Sequence, residues 1–171
     1  MADEKLSAKF AKYCGEGKLT MVKKYIADKN VDVNWNMSSP LTKAVKYDKI
    51  EVVKLLLSDP RLQTDFENKK ELRGSLMYNN PPLVLNNVII NPFTEAMFTK
   101  KYDILDLFLS DGRFTTNRTE YLDILLKIDD DELNNYFKKI PGFKEYAVSK
   151  VKENNDYVKI ISKSVASIMM F

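Results

Sequence analysis

Ser39-Pro-Leu-Thr-Lys-Ala-Val-Lys-Tyr-Asp-Lys-Ile-Glu-Val-Val-Lys-Leu-Leu-Leu-Ser-Asp-Pro-Arg-Leu62 decides the fold once it is set beside Asn91-Pro-Phe-Thr-Glu-Ala-Met-Phe-Thr-Lys-Lys-Tyr-Asp-Ile-Leu-Asp-Leu-Phe-Leu-Ser-Asp-Gly-Arg-Phe114. Pro40, Thr42 and Ala44 coincide with Pro92, Thr94 and Ala96 at an offset of 52. Leu55, Leu57, Ser58, Asp59 and Arg61 coincide with Leu107, Leu109, Ser110, Asp111 and Arg113 at that same offset. Ungapped agreement of this kind marks two copies of one unit. An earlier copy lies 31 residues upstream, where Phe10 to Ile26 falls on Leu41 to Leu57, Leu19 on Ile50 and Val22 on Val53. A fainter fourth copy reads as helices over 119–128 and 131–139 with Pro141-Gly142-Phe143 as its loop. Residues 144–171 supply a last pair of capping helices.

The physical content of one repeat follows from its residues. Ser39 or Asn91 caps a helix through its side-chain oxygen, and the proline after it fits the first helical position, where no amide bond is lost. A second helix presents Ile50, Val53, Leu56 and Leu57 on one face at spacings of three and four. Val52 and Leu55 widen that stripe, so neighbours are expected on both sides. Ser58-Asp59-Pro60 and Ser110-Asp111-Gly112 are turn sequences that stop the helix. A helix–turn–helix this small cannot bury its own apolar face, and stacking supplies the missing cover.

These residues carry a family resemblance. Ser39-Pro-Leu-Thr-Lys-Ala44 followed by Ile50-Glu-Val-Val-Lys-Leu-Leu-Leu57 resembles the ankyrin repeat, with its Thr-Pro-Leu-His signature, an alanine and an apolar second helix. Gly17-Lys18-Leu19 and Val31-Asp-Val-Asn34 resemble that family's inter-helix turn and following loop. Thr42 and Thr94 stand where the family has His, and Asp48 and Lys100 stand where it has a turn Gly. Asp tolerates positive φ better than most residues and Lys does not, so the turn at Lys100 is expected to be either strained or rebuilt. The resemblance implies a mainly α, ankyrin-repeat solenoid forming a single domain over 1–171. Its repeats span about 6–36, 37–66, 91–117 and 118–143, with an extended finger inserted at 67–90.

The insertion is the surplus of the 52-residue step over an ankyrin period of about 33. Leu83-Val-Leu85 and Val88-Ile-Ile90, joined by Asn86-Asn87, read as a tight hairpin, because Asn accepts the positive φ such turns need. Either this finger binds something, as long loops in compact domains often do, or Leu83, Leu85, Ile89 and Ile90 cover a gap in the stack.

Composition narrows the chemistry. The chain has 171 residues, 44% hydrophobic and 30% charged, with 27 Lys+Arg against 24 Asp+Glu. That is enough apolar material for a core, and a net charge of +3 lacks the concentrated excess of a dedicated nucleic-acid binder. Histidine is absent, which removes His-based triads, His-containing zinc sites and the commonest general base. Five glycines form no phosphate loop, and Gly17-Lys18-Leu19 lacks the hydroxyl of a Walker motif. Asp129-Asp130-Asp131-Glu132 has no EF-hand spacing and reads as acids at a helix N-terminus. Cys14, the single cysteine, reads as a small core residue. Catalytic residues, metal ligands and cofactors are therefore not expected. No apolar run is long enough for a membrane span, the polar N-terminus lacks a signal-peptide core, and a lone cysteine suits a reducing, intracellular, cytoplasmic setting.

What remains is recognition of another protein. The ankyrin resemblance implies contacts on the fingers and the exposed side of the first helices. Transferred residue by residue, that gives Lys12, Gly15 and Glu16, then Lys43, Lys46 and Tyr47, then Glu95, Phe98 and Thr99. The fingers add Trp35, Asn36 and Met37, with Tyr78, Asn79 and Asn80 from the insertion. Trp35 is either an interface anchor or folded back on a helix. Phe98 either extends an aromatic strip from Tyr47 or packs on the insertion. The expected function is a non-enzymatic scaffold that captures or inhibits a partner protein. A small, Lys-, Asn-, Ile- and Tyr-rich chain of this kind also resembles viral and host-directed ankyrin effectors. The alternative is nucleic-acid association through lysines 138, 139, 144, 150, 152, 159 and 163, interleaved with Phe137, Phe143, Tyr146 and Tyr157. The apolar tail Ile168-Met-Met-Phe171 either caps the stack or mediates self-association.

Overall fold

The computed structural model describes residues 2–64, 73–79, 82–89, 91–111, 113, 130–140, 142, 143, 145, 148 and 149. The protein is mainly helical. Its elements are α1 (Glu4–Glu16), α2 (Leu19–Ile26), α3 (Trp35–Lys46), α4 (Ile50–Leu57), β1 (Arg73–Asn79), β2 (Pro82–Ile89), α5 (Pro92–Phe98), α6 (Tyr102–Ser110) and α7 (Asp131–Phe137). Contacts divide the chain into two compact units, residues 1–75 with 86–116 and residues 76–85 with 117–171.

The first unit holds three helical hairpins. Their second helices begin at 19, 50 and 102, reproducing the sequence offsets of 31 and 52. α1, α3 and α5 stack in one row and α2, α4 and α6 in another, while each hairpin closes on itself. Matching positions are buried throughout: Phe10, Leu41 and Phe93; Cys14, Val45 and Met97; Val22, Val53 and Leu105. On α4, Val52 joins Val53 and Leu56 in the interior, as a helix flanked on both sides requires.

The turn inside each hairpin is also repeated. Gly17, Asp48 and Lys100 occupy matching positions and all have left-handed backbone, with φ of 70°, 57° and 54°. The amides of Gly17, Asp48 and Lys100 donate to Cys14, Val45 and Met97 carbonyls, and those of Lys18, Lys49 and Lys101 to Tyr13, Ala44 and Ala96. This paired pattern ends a helix by satisfying carbonyls that would otherwise lack a donor. Only glycine adopts the conformation freely. A Cβ on Gly17 would also meet Lys49 Cδ at 2.7 Å. Gly17→Ala is therefore expected to cost about 1–2 kcal/mol, and Lys100→Gly to gain about 0.5–1 kcal/mol, both read from urea unfolding midpoints.

Ser-Asp-x-Arg after the second helix joins successive hairpins. Asp59 holds Arg61 through Nε at 3.0 Å and Nη2 at 2.7 Å, and Arg61 Nη2 donates to the Ile26 carbonyl, the last of α2, at 2.5 Å. Asp111 holds Arg113 the same way at 2.9 and 2.6 Å, and Arg113 Nη2 donates to the Leu57 carbonyl, the last of α4. Arg113 Nη1 adds the Asp59 and Leu62 carbonyls at 3.2 and 3.3 Å. Each guanidinium thus caps the preceding repeat's helix, where the dipole leaves partial negative charge. The first repeat carries Asn30 at the arginine position, and Asn30 donates its own amide to Asp28 at 2.8 Å. Loop backbones add a second link. Asn34 donates Nδ2 to the Arg61 carbonyl and accepts from the Gln63 amide, both at 2.8 Å.

Three expectations are corrected. Helix α3 starts at Trp35, not after Ser39, so Pro40 lies inside it. Asn36, at φ 47°, makes its first turn irregular, which accommodates a proline four residues later. The expected cap does form on α5, where Asn91 accepts from the Thr94 amide at 2.9 Å and its own amide donates to Thr94 Oγ1 at 3.0 Å. Trp35 and Asn36 are accordingly helical rather than parts of a finger. The insertion is a hairpin, but Asn86-Asn87 lies within β2 and the reversal falls between Asn79 and Pro82. A proline at the first residue of a strand costs no ladder bond, whereas a turn at 86–87 would leave the long β1 unpaired. Residues 119–128, the connection at 80–81 and most of 144–171 lie outside the described residues, as do the side chains of Met37 and of both strands.

In the second unit, Asp130 caps α7 by accepting from the Leu133 amide at 2.9 Å. Phe137 packs on Phe143, with ring centroids 6.1 Å apart and both rings buried. Among the described residues no helix is long and apolar enough to cross a membrane.

Candidate functional site

The C-terminal turns of α1, α3 and α5 bring equivalent residues side by side. Lys12, Lys43 and Glu95 form one row by their offsets, Gly15, Lys46 and Phe98 a second, and Glu16, Tyr47 and Thr99 a third. Nine positions named from the sequence therefore share one ledge of the first unit.

A shallow depression lies between α1 and α3. Lys12, Gly15, Glu16, Lys43 and Tyr47 line a groove of about 360 Å³. Gly15 is the reason for it. The residue is buried, and a Cβ there would sit 3.2 Å from Tyr47 Cδ2 and 3.3 Å from Lys43 Cβ. Lacking one, α1 lets the Tyr47 ring approach its backbone. At the next step of the ledge Lys46 holds the glycine position and Thr99 the tyrosine position, so the depression does not repeat. Tyr47 is 55% exposed, the one large hydrophobic so exposed among the described residues.

The rim is charged. Glu16 pairs with Lys18 at 2.7 Å and, loosely, with Lys12 at 3.8 Å. Hydrogen bonding to Lys18 holds the Glu16 carboxyl below its ordinary range. Across the next step Lys101 reaches Asp48 at 3.3 Å. Half-buried Glu95 is pushed up by desolvation, which the nearby Lys46 partly offsets. Thr99 Oγ1 donates to the Glu95 carbonyl at 2.6 Å.

The remaining sequence candidates are dispersed. Trp35 is half-buried at the opposite end of α3, about 18 Å of helix from Tyr47. Asn36 is exposed beside it, and Met37 follows in the same turn. Tyr78 and Asn79 fall at the end of β1. Phe98 is half-buried on α5.

Beneath the groove, Cys14 is fully buried, and burial pushes its thiol up to about 12 against a small opposing pull from Lys43. It is a protonated core residue, not a nucleophile. Among the described residues no three acids or cysteines converge as a metal site would need. The sequence reading missed one cluster. Tyr13 and Tyr25 meet edge-on at 5.4 Å between α1 and α2, with Lys18 Nζ 5.6 Å from the Tyr13 ring centre. Hydrogen bonding to Tyr25 holds the exposed Lys9 ammonium above its ordinary range. The four-residue spacing of Lys9 and Tyr13 on one helix was the available signal.

No protein-family model matches the chain at a significant level, and neither does any curated protein or any solved structure.

Proposed function

We propose that the chain is a non-enzymatic, ankyrin-type module that captures a partner protein on the ledge formed by α1, α3 and α5. The observation that carries this is the groove at Gly15, where an exposed Tyr47 ring stands among lysines on a stacked, rigid framework. Tyrosine is a common interface anchor, because it offers a large contact area with few rotatable bonds. The ledge is also preorganised: its helices are held by repeated turns and arginine caps, so binding orders only side chains. The ankyrin assignment draws on the in-register stacking of three hairpins and on three left-handed turns at the position where that family carries glycine.

Affinity capture from cells that naturally contain the protein tests the proposal. One protein should co-purify with the wild type and be reduced at least about tenfold with Tyr47→Ala, since a central aromatic anchor is worth about 2 kcal/mol. Undiminished recovery on both Tyr47→Ala and Lys43→Glu would remove the ledge from consideration.

A further inference from the structure

The ledge carries more positive charge than its own acids can neutralise. Lys12, Lys18, Lys43, Lys46, Lys49 and Lys101 stand on or beside it, against Glu16, Asp48 and Glu95. Two of those acids are already engaged: Glu16 is held by Lys18 and Lys12, and Asp48 by Lys101. Lys43 lies in the wall of the groove, one helical turn before Tyr47, with no acid of the described residues within ion-pair distance. Lys12 faces it from α1 and holds Glu16 only at 3.8 Å, so its ammonium can turn to a closer anion at little cost.

We infer that the groove takes an acidic peptide segment of the partner protein. A carboxylate is placed between Lys12 and Lys43, and an adjacent apolar side chain lies on the Tyr47 ring over Gly15. This rests on the protein-binding reading above and names the chemistry of its partner. Two features select this occupant. Charge complementarity calls for an anion, since two lysines meet there and Glu16, the acid that lines the groove, is already paired. The groove also has a tyrosine ring lying over a glycine, which suits an apolar side chain beside the carboxylate. A nucleic-acid strand would instead need several stacking rings along a continuous cationic path, and among the described residues Tyr47 is the one large hydrophobic that is exposed.

The test measures fluorescence anisotropy with a fluorescein-labelled random copolymer of glutamate and tyrosine. A labelled oligothymidylate of equal charge is the competitor class. Lys23→Glu/Lys24→Glu makes the same charge change on the exposed last turn of α2, away from the groove. The copolymer should bind the wild type, and Lys12→Glu/Lys43→Glu and Tyr47→Ala should each weaken it about tenfold or more, while Lys23→Glu/Lys24→Glu stays within about twofold. Equal weakening by Lys23→Glu/Lys24→Glu overturns the inference, because diffuse charge then suffices. Equal or tighter binding of the oligothymidylate, lost in the same groove variants, overturns it in favour of a nucleic-acid site. Absence of copolymer binding also overturns it. In that case cellular capture that is lost in Tyr47→Ala but kept in Lys12→Glu/Lys43→Glu leaves the protein-binding reading standing, whereas capture unaffected by all variants removes both.

Discussion

Arg113→Ala should destabilise the protein by about 3 kcal/mol, lowering its melting temperature by about 8 °C, although the side chain is one-third exposed. The guanidinium donates to the carbonyls of Leu57, Asp59 and Leu62, and the Leu57 carbonyl, at the end of α4, loses its charged donor when the arginine goes. Arg113→Lys should recover little, since an ammonium cannot hold Asp111 through two parallel bonds and reach the carbonyls as well. Arg61→Ala should cost only about 1 kcal/mol, because its inter-repeat bond is the single one to Ile26 and it is more exposed. Differential scanning calorimetry on the three variants checks the order. The same clamps predict a pH dependence. Hydrogen bonding to Arg61 and to Arg113 lowers the Asp59 and Asp111 carboxyls below their ordinary range. A depressed folded-state value means the contribution is complete above the unfolded value of about 4 and is lost as pH falls below it. Asp59→Asn/Asp111→Asn should therefore be less stable than wild type at pH 7 and converge toward it near pH 3.

Phe108→Ala should cost more, about 3–5 kcal/mol. The ring is fully buried on α6 and lies 6.2 Å from that of Phe93 on α5, so truncation leaves a cavity between the two helices of the third hairpin. Phe108→Leu, matching Leu56 at the equivalent position of the second hairpin, should cost about 1–1.5 kcal/mol. A large loss for the alanine with a small loss for the leucine is the signature of one packing arrangement used twice. Chemical denaturation measures both.

Much of the hairpin stack was legible because each repeat's constraints are local. The offsets of 31 and 52 needed only matching residues, whereas the turn at Lys100 was open between a strained and a rebuilt form until its φ of 54° was seen. Errors arose where one residue pattern serves two local structures. Ser39-Pro40 copies Asn91-Pro92 in type, yet only Asn91 caps, because the chain before Pro40 continues as helix through a left-handed Asn36. In the insertion, Asn79-Asn80-Pro81-Pro82 and Asn86-Asn87 are both credible turns, and the choice depends on how long β1 extends, which no local signal encodes. The ledge residues Lys12, Glu16, Lys43 and Tyr47 were named individually, but the groove arises from Gly15 meeting a tyrosine 32 positions away. The arginine caps were visible as a recurring Asp-x-Arg, with Asn30 at the arginine position of the first repeat.

The most direct test of the proposed recognition surface is a photo-crosslinking amino acid placed at position 47, with a control at the exposed position 23 on α2. Irradiation in cells that naturally contain the protein should yield one discrete protein adduct from position 47 and none of that mass from position 23. The same adduct from both positions, or from neither, would contradict a partner seated in the groove between α1 and α3.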